Sequence, residues 1–460
     1  MTTLHHSIYG REEPDSAWLL DSDHRRRIVD GLRAIGIMLV VAFHCAILFT
    51  RILPRPEVDA FMASLPGVFN VVWQALGSEL VFFTSGFLLS YLLLREHARR
   101  GSIDKRAFWI ARAARILPLF LLAMCVFLIG RTLHWDRILA NLLFSARIAG
   151  YFEITPHAGK NIIPVGWSLE VMVHAYFALP FLVLGVLRTR WPLIAALALA
   201  ALSVLPRLLV LAADPAAYTL PAYRFVDGVD VPQVHKDLYY LTWFRLTPFL
   251  LGLAAAVAVT HHRAALERWC ALPWRAPATL AAGLMLVAAS AFLPLQRKGA
   301  FVYDLFGPRE WLWFWSCQRA VLIVGMALVL LTVLVASRGA PALLGRGLAW
   351  RAFTPVSHGI YAILLFHFLC LVPAALVVFL PAVVEGIARS PSFARAALTE
   401  NIRASIASAS VWQYLVMVVL TVWLSTRLAG FLARVVEAPV QRWRRTRSAA
   451  AAARPSQAPR

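Results

Sequence analysis

Apolar stretches of about 20 residues recur along the whole of this 460-residue chain, and that recurrence limits the fold more than any motif. A bilayer's hydrocarbon layer takes roughly 20 apolar residues in a helix. Within it each backbone polar group must be satisfied inside the protein, which leaves helices or closed barrels. These runs are too long for strands. They fall at about 34–53, 67–94, 114–131, 165–186, 192–212, 237–260, 274–294, 311–336, 353–381 and 411–432. Hydrophobic residues make up 60% of the chain and its mean hydropathy is +0.68, far from a soluble domain's composition. The fold class expected is all-α, a polytopic membrane protein of about ten transmembrane helices.

Charge placement sets the orientation. Lys and Arg outnumber Asp and Glu by 45 to 24, a net charge of +21. With both termini cytoplasmic, inner segments hold about 27 of the 45 basic residues and outer loops about 14, counting span edges with the loops. That bias follows the positive-inside rule. The densest cluster is the 95–115 loop, with Arg95, Arg99, Arg100, Lys105, Arg106, Arg112 and Arg115; Arg442, Arg444, Arg445 and Arg447 follow. Basic residues confined to short loops and tails argue against nucleic acid as a partner. Residues 1–27 read as a cytoplasmic tail, 28–445 as the membrane domain and 446–460 as a disordered cytoplasmic tail. The outer loops 132–164, 213–236, 295–310 and 382–410 are longer than most inner ones, so a large acceptor has room on that side. The five cysteines form no CxxC, and no disulfide framework or zinc site is expected. His5–His6 and His261–His262 lack carboxylate or thiol companions, so no metal is expected.

Inside the first span, DGLRAIGIMLVVAFHCAILF, stand Arg33 and His44. Eleven helical positions bring the two within about 20° of one face and roughly 16 Å apart along the axis. Ionisable groups at that depth are costly and mark a pathway or a reaction. Imidazole is the commonest general base. Arg33 suits a carboxylate or a phosphate, or simply sets topology. Arg112 and Arg115, at i,i+3, share a face where phosphates could bind; plain positive-inside charge is the other reading. Glu79, Glu170 and His174 also fall within or at the ends of spans. Glu170 is expected to pair with His174, with Arg245 or with His44, and a structural helix–helix pair stands as the alternative. Ser85 and Gly86 permit close helix approach. Trp167 is either an interfacial anchor or a sugar-stacking platform. Cys45 lies about 100° around the helix from His44, poorly placed to share its chemistry.

Six segments, in order, resemble the integral-membrane acyltransferases of acyltransferase family 3. They are DGLRAI…VVAFH with Arg-x10-His; ELVFFTSGFLLSYLL with Glu79, Ser85 and Gly86; FWIARAARILP with Arg112, Arg115 and Pro118; VGWSLEVMVHAYFALP; FRLTPFLLGLAAA with Arg245 and Gly252; and VVEAPVQRW with Glu437 and Pro439. Two positions depart from the pattern. Met172 stands where the fourth motif has Glu, with Glu170 two residues before it. Leu364 stands where the ninth span has His three residues after a Tyr, here Tyr361, and the nearest His is His367.

The resemblance implies an inner-membrane O-acyltransferase. The donor would be acyl-CoA, acetyl-CoA first, approaching from the cytoplasm. The acceptor would be a hydroxyl of a saccharide, glycan or glycosylated molecule. His44 and Glu170 are then the candidate catalytic residues. Arg33, Arg112 and Arg115 would hold the donor, and Glu79, Ser85, Trp167, His174 and Arg245 the acceptor. No bound cofactor is expected, and a homo-oligomer is left open. Two other classes remain: a proton-coupled exporter of a saccharide or small molecule, against which no internal repeat is visible, and a scaffold without activity.

Overall fold

The computed structural model describes residues 18–442 apart from 54, 65–66, 75, 133, 158, 220–232, 296–298, 300, 390–399, 403 and 407–409. His5, His6, Arg444, Arg445, Arg447 and the 446–460 tail lie outside these. Among the described residues there are helices and turns and no strand. Each expected apolar stretch corresponds to a helix: α1 (Asp23–Ile52), α2 (Gly77–Arg100), α3 (Lys105–Leu128), α4 (Gly166–Leu187), α5 (Pro192–Ala213), α6 (Thr247–His261), α7 (Arg275–Ala291), α8 (Pro308–Val335), α9 (Ile360–Val378) and α10 (Val411–Leu432). Eight of these are long and apolar enough to cross a bilayer. A ninth follows if α6 and Arg263–Ala271, bent at 82°, make one span, and α7 falls short at 17 residues.

Local chemistry explains where the boundaries moved. α1 begins at Asp23, inside the segment read as a tail. The Ser22 hydroxyl accepts from the Arg25 N–H at 3.3 Å, and Asp23 pairs with Arg27 at 3.0 Å, an N-cap and an i,i+4 ion pair in one turn. α2 begins at Gly77, ten residues after the expected start, and closes on Gly101 at φ +69°. The expected 237–260 span is interrupted. Gln233–Tyr240 is one helix, Thr242–Phe244 is a 3₁₀ turn, and Arg245 lies at the break before α6. α10 starts with a capping box of Ser410 and Gln413 and runs into a π-helical turn, Ala433–Glu437.

Small residues let the central helices touch. A methyl on Gly252 would sit 2.5 Å from the Phe83 carbonyl and from the Phe87 nitrogen, and one on Gly86 would sit 2.6 Å from the Phe249 carbonyl. α2 and α6 therefore meet backbone to backbone, as membrane helices do through paired small residues. The expectation for Gly86 holds, with Gly252 as its partner. Leu117 and Leu121 on α3, Phe177 and Phe181 on α4, and Ile194 and Leu197 on α5 are exposed and face the lipid in a membrane-embedded chain. The ionisable groups of interest sit on the inward faces of α1, α2, α4 and α9, around two cavities.

Candidate active site

The larger cavity, about 240 Å³, opens among Arg33 of α1, Ser85 of α2, Arg112 and Arg115 of α3, Met172 and Tyr176 of α4, and Tyr361 of α9. Three guanidiniums from two helices thus meet in one space. Arg33 Nη1 lies 3.3 Å from Asp30 Oδ1 and 3.4 Å from Ser357 Oγ, and Ser357 also donates to Asp30 at 2.8 Å. This holds Arg33 in place and leaves its Nε without a partner. Glu437, from the closing motif, faces Arg115 electrostatically, and Gln441 donates to the Ala114 carbonyl at 3.4 Å. The last segment of the fold therefore braces the basic end of α3. Tyr176 bonds Ser85, and the Tyr361 hydroxyl donates to the Ile116 carbonyl at 2.9 Å.

A smaller, narrow cavity, with closed room for about one water molecule and an opening to the outside, lies further along the same face of α1. His44, Ser78, Trp167, Ser168 and Tyr239 line it. Val81 and Leu364 line both cavities, so the two are separated by little more than these side chains. Arg33 and His44 look into adjoining spaces, as their eleven-residue offset requires.

His44 has a partner that sequence spacing could not supply. His367 Nε2 lies 3.1 Å from His44 Nδ1. The protonation pattern follows from what else each nitrogen touches. His367 Nδ1 is 3.0 Å from the carbonyls of both Ile363 and Leu364, so Nδ1 holds the proton and Nε2 accepts. His44 Nδ1 is 2.9 Å from the Val40 carbonyl and faces that acceptor, so it too holds the proton. His44 Nε2 is left as the basic atom. Phe43 and Phe368 pack on the His44 ring at 5.3 and 4.8 Å and fix its plane.

At the end of the bundle opposite the 95–115 loop, Glu79 is buried and accepts from both Arg245 and Arg319, the latter at 2.5 Å. Arg245 also donates to Ser78 at 2.7 Å, and its guanidinium lies 5.0 Å from the Tyr239 ring and 5.2 Å from that of Trp167. Trp167 is only 4% exposed. It is part of the cavity wall and not the interfacial anchor that its position at a span end suggested. Stacking against Arg245 and Tyr239 outweighs the interfacial preference here.

The partners expected for Glu170 are corrected. Its carboxylate bonds neither His174, Arg245 nor His44. Both oxygens accept from the Arg147 N–H at 3.2 Å, with Ile148 N–H at 3.4 Å and Asn161 Nδ2 at 3.5 Å. A loop that turns into the Ala146–Tyr151 helix brings bare N–H groups to the carboxylate, and these outcompete distant side chains. His174 instead bonds Thr242 Oγ1 at 2.8 Å, tying α4 to the turn ahead of α6. Cys45 lies 3.6 Å from Thr421 Oγ1 on α10, and all five cysteines are free. No metal is expected from ligand spacing in the sequence, and one group of possible ligands comes together only in the fold. His134, Asp136 and His157 present ligand atoms within 4.8 Å of one another and line neither cavity. The loop folds back to place His157 beside Asp136, 21 positions earlier, which pairwise spacing does not reveal.

A family profile described as an acyltransferase domain matches residues 26–429, nearly the whole chain. The chain belongs to this acyltransferase family. Among relatives, "Putative peptidoglycan O-acetyltransferase YrhL" of Bacillus subtilis is 26% identical over 371 residues, 75% of this chain and 49% of that protein. Peptidoglycan O-acetyltransferase OatA of Listeria monocytogenes is 25% identical over 180 residues, 35% of this chain and 24% of that protein. The chain therefore spans half or less of these relatives. No solved structure matches it.

Seen as an acyltransferase, the chain puts both of its motif departures on one wall. Met172 and Leu364 line the basic cavity and replace two polar groups with apolar ones. Sequence reading gives Arg319 no role and has His367 only as a displaced motif residue. It missed Ser78 and Tyr239 altogether. Ser78, Arg319 and His367 find their hydrogen-bond partners 167, 240 and 323 positions away, and Tyr239 packs on Trp167 from 72 positions away as well as on nearby Arg245; over the longer distances no local pattern carries a signal.

Proposed function

We propose that the chain is a membrane O-acyltransferase that moves an acyl group, acetyl first among them, from acyl-CoA to a hydroxyl of a saccharide acceptor. The observation that carries this reading is the pair of cavities sharing Val81 and Leu364, one lined by three arginines and the other by His44. The names of the relatives, peptidoglycan O-acetyltransferases, support the same chemistry and a saccharide acceptor. The positive-inside charge bias supports a basic cavity open to the cytoplasm, where acyl-CoA is made, with the bacterial inner membrane as the membrane.

Arg33, Arg112 and Arg115 hold the phosphates of the donor by charge-assisted hydrogen bonds. The thioester end points toward Val81 and Leu364. A saccharide hydroxyl enters the His44 cavity from the other side and gives its proton to His44 Nε2 as its oxygen attacks the thioester carbonyl. The C–S bond breaks, the thiolate of CoA leaves, and the proton on His44 returns to it. The products are the O-acyl saccharide and CoA thiol. While His44 carries the extra proton, its Nδ1–H bond to His367 strengthens, because a bond from a charged donor is about twice as strong as a neutral one. His367 therefore positions His44 and steadies its charge. Glu170 is assigned a positioning role, since it holds the 146–161 loop against α4 close to Trp167 and Ser168.

The test is thiol release from acetyl-CoA by purified protein in nanodiscs with a mixed glycan extract, wild type against His44→Ala. Release lost in His44→Ala supports the assignment. Release unchanged removes His44 from the chemistry, and no release from wild type with any donor argues for export or scaffolding.

A further inference from the structure

Arg207 of α5, Arg245 and Arg319 of α8 converge beside the His44 cavity. One carboxylate, Glu79, faces all three among the described residues. It takes hydrogen bonds from Arg245 and Arg319. Arg207 donates only to main-chain carbonyls among the described residues, of Trp315 at 2.7 Å and of Leu238 at 3.3 Å. The sum is three cations against one anion. Arg245 is 0% exposed and Arg207 7%, and the Arg319 side chain is 16% exposed. Buried charges in a protein are paired, and a buried surplus is costly. The Nε of both Arg245 and Arg319 has no partner, so donor capacity is left over as well as charge.

The cluster stands directly behind two residues of the cavity wall, Ser78 and Tyr239. Tyr239 stacks within 5.0 Å of the Arg245 guanidinium and 5.8 Å of that of Arg319. It lines the His44 cavity together with Ser78, which bonds Arg245. Arg319 is the most accessible of the three. A ligand in this cavity meets the His44 imidazole on one side and, on the other, Ser78 and Tyr239 with the under-compensated guanidinium cluster against their far side.

We infer that the acceptor is an anionic saccharide, whose carboxylate or phosphate engages Arg319 and the cluster behind it while a hydroxyl reaches His44. The inference rests on the acyltransferase reading and narrows it to a substrate class. The anion completes the charge balance of the cluster, so binding energy from a group remote from the reaction orients the hydroxyl.

Three soluble probes separate the possibilities: methyl β-glucoside, methyl β-glucuronide and glucose 6-phosphate, matched in ring and different in charge. Equilibrium binding to the nanodisc protein is measured first, because it does not depend on turnover. The glucuronide or the phosphate should bind at least about tenfold tighter than the neutral glucoside. The arm that does so tells a carboxylate acceptor from a phosphate-bearing one. Arg319→Gln should collapse that ratio toward one, and Arg319→Lys, which keeps the charge, should retain part of it and shows that the site survives substitution at this position. Acetyl transfer to the same probes is the second readout. Equal affinity for all three in wild type would overturn the inference, and so would a ratio unaffected by Arg319→Gln. Thiol release that depends on His44 but takes neutral and charged acceptors alike would overturn it too, while leaving the acyltransferase reading standing.

Discussion

Removing the second imidazole tests the geometry most sharply. His367→Leu deletes the acceptor 3.1 Å from His44 Nδ1 and leaves the Val40 carbonyl at 2.9 Å, so His44 keeps its tautomer and most of its orientation. In the proposed mechanism, what is lost is a neutral hydrogen bond that becomes charge-assisted when His44 takes the substrate proton. Hydrogen bonds to charged groups contribute about 1.5–3 kcal/mol net and neutral ones about 1. The transition state therefore loses roughly 0.5–2 kcal/mol more than the ground state, a fall in kcat of about two- to thirtyfold. The KM for acyl-CoA should stay within about twofold, because no residue of the basic cavity is altered. His367→Gln, whose amide oxygen can accept from His44, should recover part of the rate. Steady-state thiol release over a range of acetyl-CoA concentrations reads both parameters. A His367→Leu enzyme with unchanged kcat, or one whose loss falls on KM, would refute the proton-holding role and leave the His pair as packing.

Other outcomes follow from the same structure. Arg115→Ala removes one guanidinium from the basic cavity and should raise the KM for acetyl-CoA about tenfold with little change in kcat, the cost of one charge-assisted contact; a fall in kcat alone would place Arg115 elsewhere. Gly252→Ala pushes a methyl to 2.5 Å from the Phe83 carbonyl and should destabilise the folded protein in detergent by about 1–3 kcal/mol. Gly430→Ala, where nothing lies within 4 Å, should leave thermal unfolding unchanged or slightly later. In the 132–164 loop, partial desolvation pulls the Asp136 carboxyl up, but hydrogen bonds from the Arg137 and His157 backbone and the His157 ring outweigh it and hold the group below the usual carboxylate range. Its stabilising effect is therefore present above the unfolded value, about 3.9, and is lost as pH falls through the lower folded one. Pepsin should cut the wild-type loop faster as pH drops from about 4.5 to 2, and Asp136→Asn should be cut with a much flatter dependence.

The bundle was legible because its signal is local. Each apolar run announces its own helix, and an eleven-residue offset on one helix puts Arg33 and His44 on the same face without knowledge of any neighbour. The i,i+3 pair Arg112–Arg115 was legible for the same reason. Pairings between helices were not. Glu170 had three plausible ionic partners by depth and chose backbone amides from a loop, since a fixed N–H cluster costs less side-chain entropy than a long side chain reaching across the bundle. Arg319 and His367 have no sequence context that predicts their partners 240 and 323 positions away. The break before α6 was hidden because its apolar residues continue straight through it.

Val81 and Leu364, the shared wall of the two cavities, have an energetic consequence for the cell. A bilayer that stores a proton gradient cannot tolerate a hydrated path joining its two sides. Two branched hydrocarbon side chains offer a proton or a hydrated cation no ligand and no hydrogen bond, while a two-carbon acyl group is itself apolar enough to pass between them. In the mechanism proposed here, the protein would export a chemical bond and keep the membrane electrically sealed.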